Sequence, residues 1–167
     1  PIEHKEKTDL KKDLILKKLK SILEDPSIKK VGQNIKYDFI IFKNNGIELS
    51  SVEDTMLLSY TLDAGNNRHN MDTLSELHLG HKTISYKDLV GTGKKQLNFA
   101  DVDIKPATEY AAEDADITLR LYEVLSERVS EEKLERVYEE FEKPMIKILS
   151  RVEMNGIKVD DAYLCLL

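Results

Sequence analysis

Tryptophan is absent from this sequence of 167 residues, and cysteine occurs once, as Cys165. A single cysteine excludes a disulfide scaffold and a zinc site built from cysteines, and it is compatible with a reducing compartment. The longest apolar runs are short, such as residues 39–42, so no segment is expected to span a bilayer. Repeats and low-complexity tracts are also absent. These absences indicate a soluble protein. Its length is sufficient for one domain and short for two.

Basic residues are fewer than acidic ones. The sequence has 25 Lys+Arg and 31 Asp+Glu, which gives a net charge of −6. An acidic balance argues against broad, nonspecific binding to a DNA duplex, since duplex-binding domains are usually basic. It does not exclude a site that meets phosphates through bound cations. Charged residues at 34% and hydrophobic residues at 41% are typical of a packed, soluble chain.

Hydrophobic spacing predicts an α/β arrangement that is rich in helices. Helices are predicted over residues 10–23, 35–45, 56–62, 71–79, 86–90, 106–129 and 131–155, the last interrupted by Pro144. Asn34 is placed to cap the second helix. Strands are predicted at residues 28–32 and 47–54, with Ile47, Leu49 and Val52 facing inward. Because two strands make a poor sheet, we expect part of an α/β domain whose other strands lie outside these residues.

Two helical segments place chemistry-bearing side chains one turn apart. Asn34 and Asp38 share a face near a helix start, where a cap and a solvated acid would explain them. Tyr110 and Asp114 lie on a stripe that otherwise carries apolar residues such as Ile117. A carboxylate on such a stripe needs a partner, because burying it unpaired is costly, and a metal ion would supply one. A short polar segment at the helix start is the structural alternative for this second pair.

Carboxylates in such positions are typical ligands of hard divalent cations such as Mg²⁺. Two ions about 4 Å apart can activate a water molecule and stabilise the leaving oxygen of a phosphodiester. A tyrosine hydroxyl one turn from an acidic ligand can orient the attacking water. Such a site usually uses about four carboxylates, and the sequence nominates two, Asp38 and Asp114.

Five short motifs follow one another in a specific order. They occupy residues 31–38, 54–60, 68–74, 81–86 and 110–116. In this order they resemble the 3′→5′ proofreading exonuclease domain of bacterial DNA polymerase I, a family A polymerase, and the likeness continues through residues 142–145 and 149–160. The resemblance implies a ribonuclease H-like fold truncated at its N-terminus by three strands. It also implies a partial exonuclease domain over residues 1–130 and a helical connection into the polymerase domain over residues 131–167.

The resemblance assigns roles to individual residues. It makes Asp114 a direct metal ligand, gives Asp38 a part in holding a second ion, and has Tyr110 position the attacking water. The residues that it places on a single-stranded 3′ end are Gln33, Asn34, Tyr37, Arg68 and Tyr86. Aromatic rings there can stack on or wedge against bases, and Arg68 can meet a phosphate. The implied cofactors of the complete domain are two Mg²⁺ or Mn²⁺ ions, and the implied partners are a DNA 3′ end and primer–template DNA.

One family motif, an Asp-x-Glu that supplies the other two carboxylates, has no counterpart at a plausible place. The Glu53-Asp54-Thr55 stretch matches a different family segment. We therefore expect these 167 residues alone to be inactive and to bind divalent cations weakly or not at all. Apolar surface left uncovered by missing strands is expected to cause self-association or instability.

For the parent protein, the resemblance implies metal-dependent hydrolysis of the 3′-terminal phosphodiester of DNA, in replication and repair. It also implies a cytoplasmic, nucleoid-associated location in a bacterium. Two alternatives stay open at this point. One is a DNA-binding or scaffolding module of a family A polymerase that has lost proofreading. The other is an RNA-trimming exonuclease of the same tyrosine type.

Overall fold

The structure, a computed structural model, describes residues 11–93 and 96–166. Its helices are α1 (Lys12–Leu23), α2 (Ile35–Asn44), α3 (Thr55–Asp63), α4 (Met71–Leu79), α5 (Tyr86–Val90), α6 (Ile104–Glu131), α7 (Glu135–Val137), α8 (Lys143–Asn155) and α9 (Asp161–Leu164). Its strands are β1 (Lys30–Gly32) and β2 (Val52–Asp54). A 3₁₀ turn spans Phe99–Asp101, and a π-helical turn over Tyr138–Glu142 joins α7 to α8. None of the helices in this described part is long and apolar enough to cross a membrane.

The two strands form a small parallel sheet, in which Lys30 lies opposite Val52 and Gly32 lies opposite Asp54. The helix α2 follows β1 and the helix α3 follows β2. Because the strands are parallel, both helices start from the same edge of the sheet. A helix-rich α/β arrangement with a small sheet confirms the coarse fold class that the hydrophobic spacing predicts.

The second strand is shorter than the predicted range of residues 47–54. Its inward residues are as predicted, with Ile47, Leu49 and Val52 all buried. Regular pairing begins only at Val52 because Ser51 adopts a positive φ of 51°. Just before it, the Ser50 backbone N–H donates to the Leu23 carbonyl at the end of α1. Residues before Val52 are therefore held by the first helix as well as by the sheet.

Asp54, the last residue of β2, joins the two helix starts. Its Oδ1 accepts hydrogen bonds from the backbone N–H groups of Asn34 at 3.0 Å and Met56 at 2.9 Å, and its Oδ2 accepts from Ile35 at 2.9 Å. The prediction that Asn34 caps α2 with its side chain is wrong. Asn34 occupies the N-cap position in a left-handed conformation, and its side chain makes no capping bond. A carboxylate from the neighbouring strand satisfies these N–H groups instead.

Two apolar clusters hold the layers together. The larger packs α3, α4 and α6 through Leu58, Leu74, Ile117, Leu121 and Leu125, with Val129 and Tyr138. The smaller packs α2, β2 and α8 through Ile35, Leu49, Val52 and Ile146. The predicted apolar stripe on α6 is thereby confirmed as part of the core.

The C-terminal helices depart from the single kinked helix that the sequence predicts. The chain first turns after α6, where Lys133 adopts a positive φ of 59°. Pro144 then lies in the first turn of α8, where its missing N–H is tolerated. The irregularity lies just before it, in the π-helical turn over Tyr138–Glu142.

We expect Asp54→Ala to lower the free energy of unfolding by about 3 kcal/mol, because two helices lose their cap and buried N–H groups lose their acceptor. Urea unfolding followed by circular dichroism measures this. The matched control is Asp160→Ala, since Asp160 is exposed and caps only the short helix α9, so its loss should be about 0.5 kcal/mol. Equal effects of the two variants would contradict a joint cap at Asp54.

Candidate functional site

An open pocket of about 500 Å³ lies where β1, the start of α2 and the middle of α6 meet. Its lining residues are Val31, Gly32, Gln33, Asp38, Met71, Ala111, Asp114, Ala115 and Thr118. Asp38 and Asp114, which the sequence nominates as metal ligands, thus line the same pocket. The alanines of α6 leave room around the two carboxylates, because their side chains are small.

Asp114 carries a buried carboxylate oxygen, Oδ1, that has no hydrogen-bond partner in the described part of the chain. Burial raises the pKa of Asp114, and the negative charges of Glu113 and Asp72 add to the rise, while a hydrogen bond from Tyr110 opposes it. Buried polar atoms are almost always paired, and an unpaired acceptor is costly. A cation at this position would remove that cost.

Tyr110 lies one turn before Asp114 on α6. Burial raises the pKa of Tyr110 to about 12, and the charge of Asp114 and the hydrogen bond to it add to the shift. The hydroxyl therefore keeps its proton at any physiological pH. Its hydrogen bond places it beside the carboxylate that the sequence nominates as a metal ligand.

Asp38 lies in the first turn of α2, and the residue is exposed to solvent. The surrounding protein still removes part of the hydration of its carboxylate, which raises the pKa of Asp38, and the charge of Asp54 adds to this. Among residues 11–93 and 96–166, no group of three or more His, Cys, Asp or Glu side chains is arranged to hold a metal ion. A cation in the pocket would therefore take its protein ligands from a pair of carboxylates and complete its shell with water or substrate.

Gln33 anchors the loop that carries Arg68. Its Nε2 donates to the His69 carbonyl at 2.7 Å, and its Oε1 accepts from the Thr55 hydroxyl at 2.5 Å. His69 is held further by a 2.8 Å hydrogen bond between its Nδ1 and the Ser59 hydroxyl. The side chain predicted to touch substrate is thus occupied in fixing the loop, and Arg68 is left exposed beside it.

Asn34 and Tyr37, also predicted to contact substrate, lie at the start of α2 beside Asp38. The side chain of Tyr37 is open to solvent, with 65% of the residue exposed. Asn34 is exposed as well, and its backbone N–H is bound to Asp54. Neither residue is among those that line the pocket.

Three aromatic rings cluster beside the pocket. Tyr86 stacks on Phe99 with ring centroids 6.2 Å apart and planes inclined by 12°, and it meets Tyr110 edge-on at 6.1 Å. Phe99 also contacts Tyr110, at 6.2 Å. The structure thus brings the predicted substrate residue Tyr86 to the predicted catalytic residue Tyr110. Sequence reasoning missed Phe99, although it is the only aromatic residue in the polar stretch of residues 91–105.

Glu113 is a second residue that sequence reasoning missed. Its carboxylate contacts His81 Nε2 at 2.8 Å and accepts from the Ile84 backbone N–H at 2.6 Å. These bonds attach the segment before Tyr86 to α6, next to Asp114. Glu113, which precedes Asp114 in the motif, therefore holds a loop. The spacing of residues along α6 alone does not indicate this role.

The chain matches a family model described as a 3′-5′ exonuclease over residues 2–130. It is 54% identical over 145 residues to DNA polymerase I of Rhizobium leguminosarum and 46% identical over 155 residues to DNA polymerase I of Pseudomonas aeruginosa. These alignments cover 87% and 90% of the chain. DNA polymerase I of Borreliella burgdorferi is 39% identical over 166 residues, which is 98% of the chain. The chain spans 14%, 17% and 18% of the lengths of these three relatives.

We expect Gln33→Ala to loosen the loop of residues 64–70, because both hydrogen bonds of the amide are lost. Hydrogen exchange of backbone amides in this loop should rise, and the free energy of unfolding should fall by about 1–2 kcal/mol. Gln96→Ala is the control, since Gln96 is exposed. Unchanged exchange in the loop of the Gln33 variant would show that the amide does not hold it.

Proposed function

The chain belongs to the 3′-5′ exonuclease family of bacterial DNA polymerase I, and on that premise we propose that its pocket is part of a metal-dependent site for hydrolysis of the 3′-terminal phosphodiester of DNA. The observation that carries the proposal is the buried, unpartnered Oδ1 of Asp114 in the pocket that it shares with Asp38. The proposal extends to a ribonuclease H-like fold, to residues 1–130 as exonuclease domain and to residues 131–167 as connection toward a polymerase.

The donor set in the pocket fits a hard divalent cation. Asp38 and Asp114 offer carboxylate oxygens, the ligand type that Mg²⁺ and Mn²⁺ prefer, and the open pocket leaves space for water and a phosphate. When bound, such ions lower the pKa of water and neutralise the charge that develops on the phosphodiester. Two carboxylates are fewer than a pair of ions usually requires, which favours weak binding by the 167 residues alone.

The residues of the chain have distinct tasks in this proposal. Asp114 and Asp38 would hold the cations through their carboxylate oxygens. Tyr110 keeps its proton, because burial and Asp114 raise its pKa to about 12, and its hydroxyl orients the attacking water by a hydrogen bond. The water attacks the phosphorus, the bond to the 3′ oxygen of the preceding nucleotide breaks, and a nucleoside monophosphate leaves.

The substrate in this proposal is a single-stranded DNA 3′ end. Tyr86 is 44% exposed and rests on Phe99, so one face of a rigid aromatic pair is open for stacking on a base. Arg68 is exposed on a loop anchored by Gln33 and can meet a phosphate. The relatives named above are DNA polymerases, which favours DNA over the RNA-trimming alternative. Self-association stays a prediction, and a proofreading-deficient parent stays an alternative.

The metal site is tested by the stabilisation that Mn²⁺ gives to the 167-residue chain. At ten times its Kd a ligand stabilises the fold by about 1.4 kcal/mol, which raises Tm by roughly 3–6 °C. We expect this shift in the unsubstituted chain at sufficiently high Mn²⁺, and its loss in Asp114→Asn. Asp116→Asn is the matched control, since Asp116 is exposed two residues further along α6 and pairs with Arg120. A shift that Asp114→Asn leaves intact would contradict the site.

The same titration has an expected pH dependence. The folded-state pKa values of Asp38 and Asp114 are raised above their ordinary value of 3.8. Ionisation therefore destabilises the cation-free fold as the pH rises past 3.8, and protons compete with Mn²⁺ at low pH. The Mn²⁺-induced rise in Tm should be larger at pH 8 than at pH 5.

We expect the 167-residue chain by itself to release no measurable mononucleotide from a 5′-labelled single-stranded oligonucleotide in Mg²⁺ or Mn²⁺. The reason is that Asp38 and Asp114 are two of the about four carboxylates that the chemistry uses. A full-length DNA polymerase I with an intact site is the positive control. Digestion that persists in Asp116→Asn and disappears in Asp114→Asn would overturn this expectation.

A further inference from the structure

A buried polar network joins the C-terminal helices to β2. The Tyr138 hydroxyl donates to Glu53 Oε2 at 2.9 Å and accepts from the Asp54 backbone N–H at 3.1 Å. Lys143 donates to Glu53 Oε1 at 2.8 Å and to Glu139 at 3.0 Å. Tyr138 is 3% exposed and Glu53 is 7% exposed. The match to the family model ends at residue 130. Tyr138 and Lys143 lie beyond it and contact a strand of the sheet.

The Tyr138 hydroxyl forms hydrogen bonds with two buried groups. The N–H of Asp54 donates to Tyr138, and the carboxylate of Glu53 would be an unpaired buried charge without Tyr138 and Lys143. Leaving either group without a partner is costly, since both are largely shielded from water. Burial raises the pKa of Tyr138, so its hydroxyl keeps the proton that it donates to Glu53.

The network continues from Tyr138 to the candidate site through a single residue. Tyr138 binds the backbone of Asp54, and the carboxylate of Asp54 binds the N–H groups of Asn34 and Ile35. Those N–H groups begin α2, whose first turn carries Asp38. A shift of Asp54 would therefore move the start of α2 and, with it, one of the two carboxylates of the pocket.

We propose that Tyr138 is a positioning residue of the exonuclease site, which sets the place of Asp38 by fixing Asp54. This inference rests on the proposed metal site for its functional consequence. According to this proposal, the helices after residue 130 help to position the site as well as connecting it to the rest of the protein. The aromatic ring of Tyr138 belongs to the larger apolar cluster, so its hydroxyl is the group that carries the positioning role.

The test is Tyr138→Phe, which removes the hydroxyl and keeps the ring in the core. We expect the amide resonances of Asn34 and Ile35 to shift and their exchange with solvent to rise, while those of Ile117 and Leu121 stay unchanged. General loosening of the core would move all four. We also expect Mn²⁺ binding, followed by the rise in Tm, to weaken roughly threefold to tenfold.

The matched control is Tyr122→Phe, because the hydroxyl of Tyr122 contacts Lys29 and, among the described residues, makes no hydrogen bond to Asp54. If Tyr138→Phe does not fold, Glu53→Gln tests the same network, since it keeps the shape of the side chain and removes its charge. Unchanged Asn34 and Ile35 amides in a folded variant would overturn the proposal, as would equal shifts throughout the core. Failure of the unsubstituted chain to bind Mn²⁺ would overturn the proposed metal site, and the amide shifts would still decide the role of Tyr138.

Discussion

The buried carboxylate of Asp54 is the interaction on which the site depends. It accepts from the backbone N–H groups of Asn34, Ile35 and Met56, and it is 2% exposed. A charge buried to this extent is tolerated only because several donors surround it, and burial still raises the pKa of Asp54. The result is a fixed angle between two helices that start from adjacent strands. The wall of the pocket that carries Asp38 is held by this side chain together with the apolar packing of α2.

Electrostatics explains how an acidic chain is compatible with the DNA site proposed above. Asp38 and Asp114 line one pocket, and the charge of Asp72 adds to the negative potential at Asp114. Such a pocket repels a phosphate until cations neutralise it, so binding of an anionic strand is conditional on divalent ions. The aromatic pair of Tyr86 and Phe99 offers an uncharged face on which a base could stack in the proposed function. A net charge of −6 is therefore compatible with the proposed site.

Local pattern predicts the helices and the apolar stripe of α6, because both follow from a repeat of 3.6 residues within one segment. It also predicts that Asp114 needs a partner, since an acid on an apolar stripe is conspicuous in the sequence alone. The role of Asp54 was not predictable in this way, because its partners Asn34 and Ile35 lie 20 and 19 residues away along the chain. For the same reason the side chain of Asn34 was wrongly expected to cap α2. Long-range polar contacts leave no periodic signal.

Polar contacts help to attach the loops around the pocket, beside the aromatic contact between Tyr86 and Tyr110. Gln33 holds the loop with Arg68 through one bond to the His69 carbonyl, and Glu113 holds the segment before Tyr86 through His81 and Ile84. Each such bond contributes about 1 kcal/mol net, far less than the burial of the apolar stripe on α6. Both loops are therefore expected to open at a lower free energy than the core.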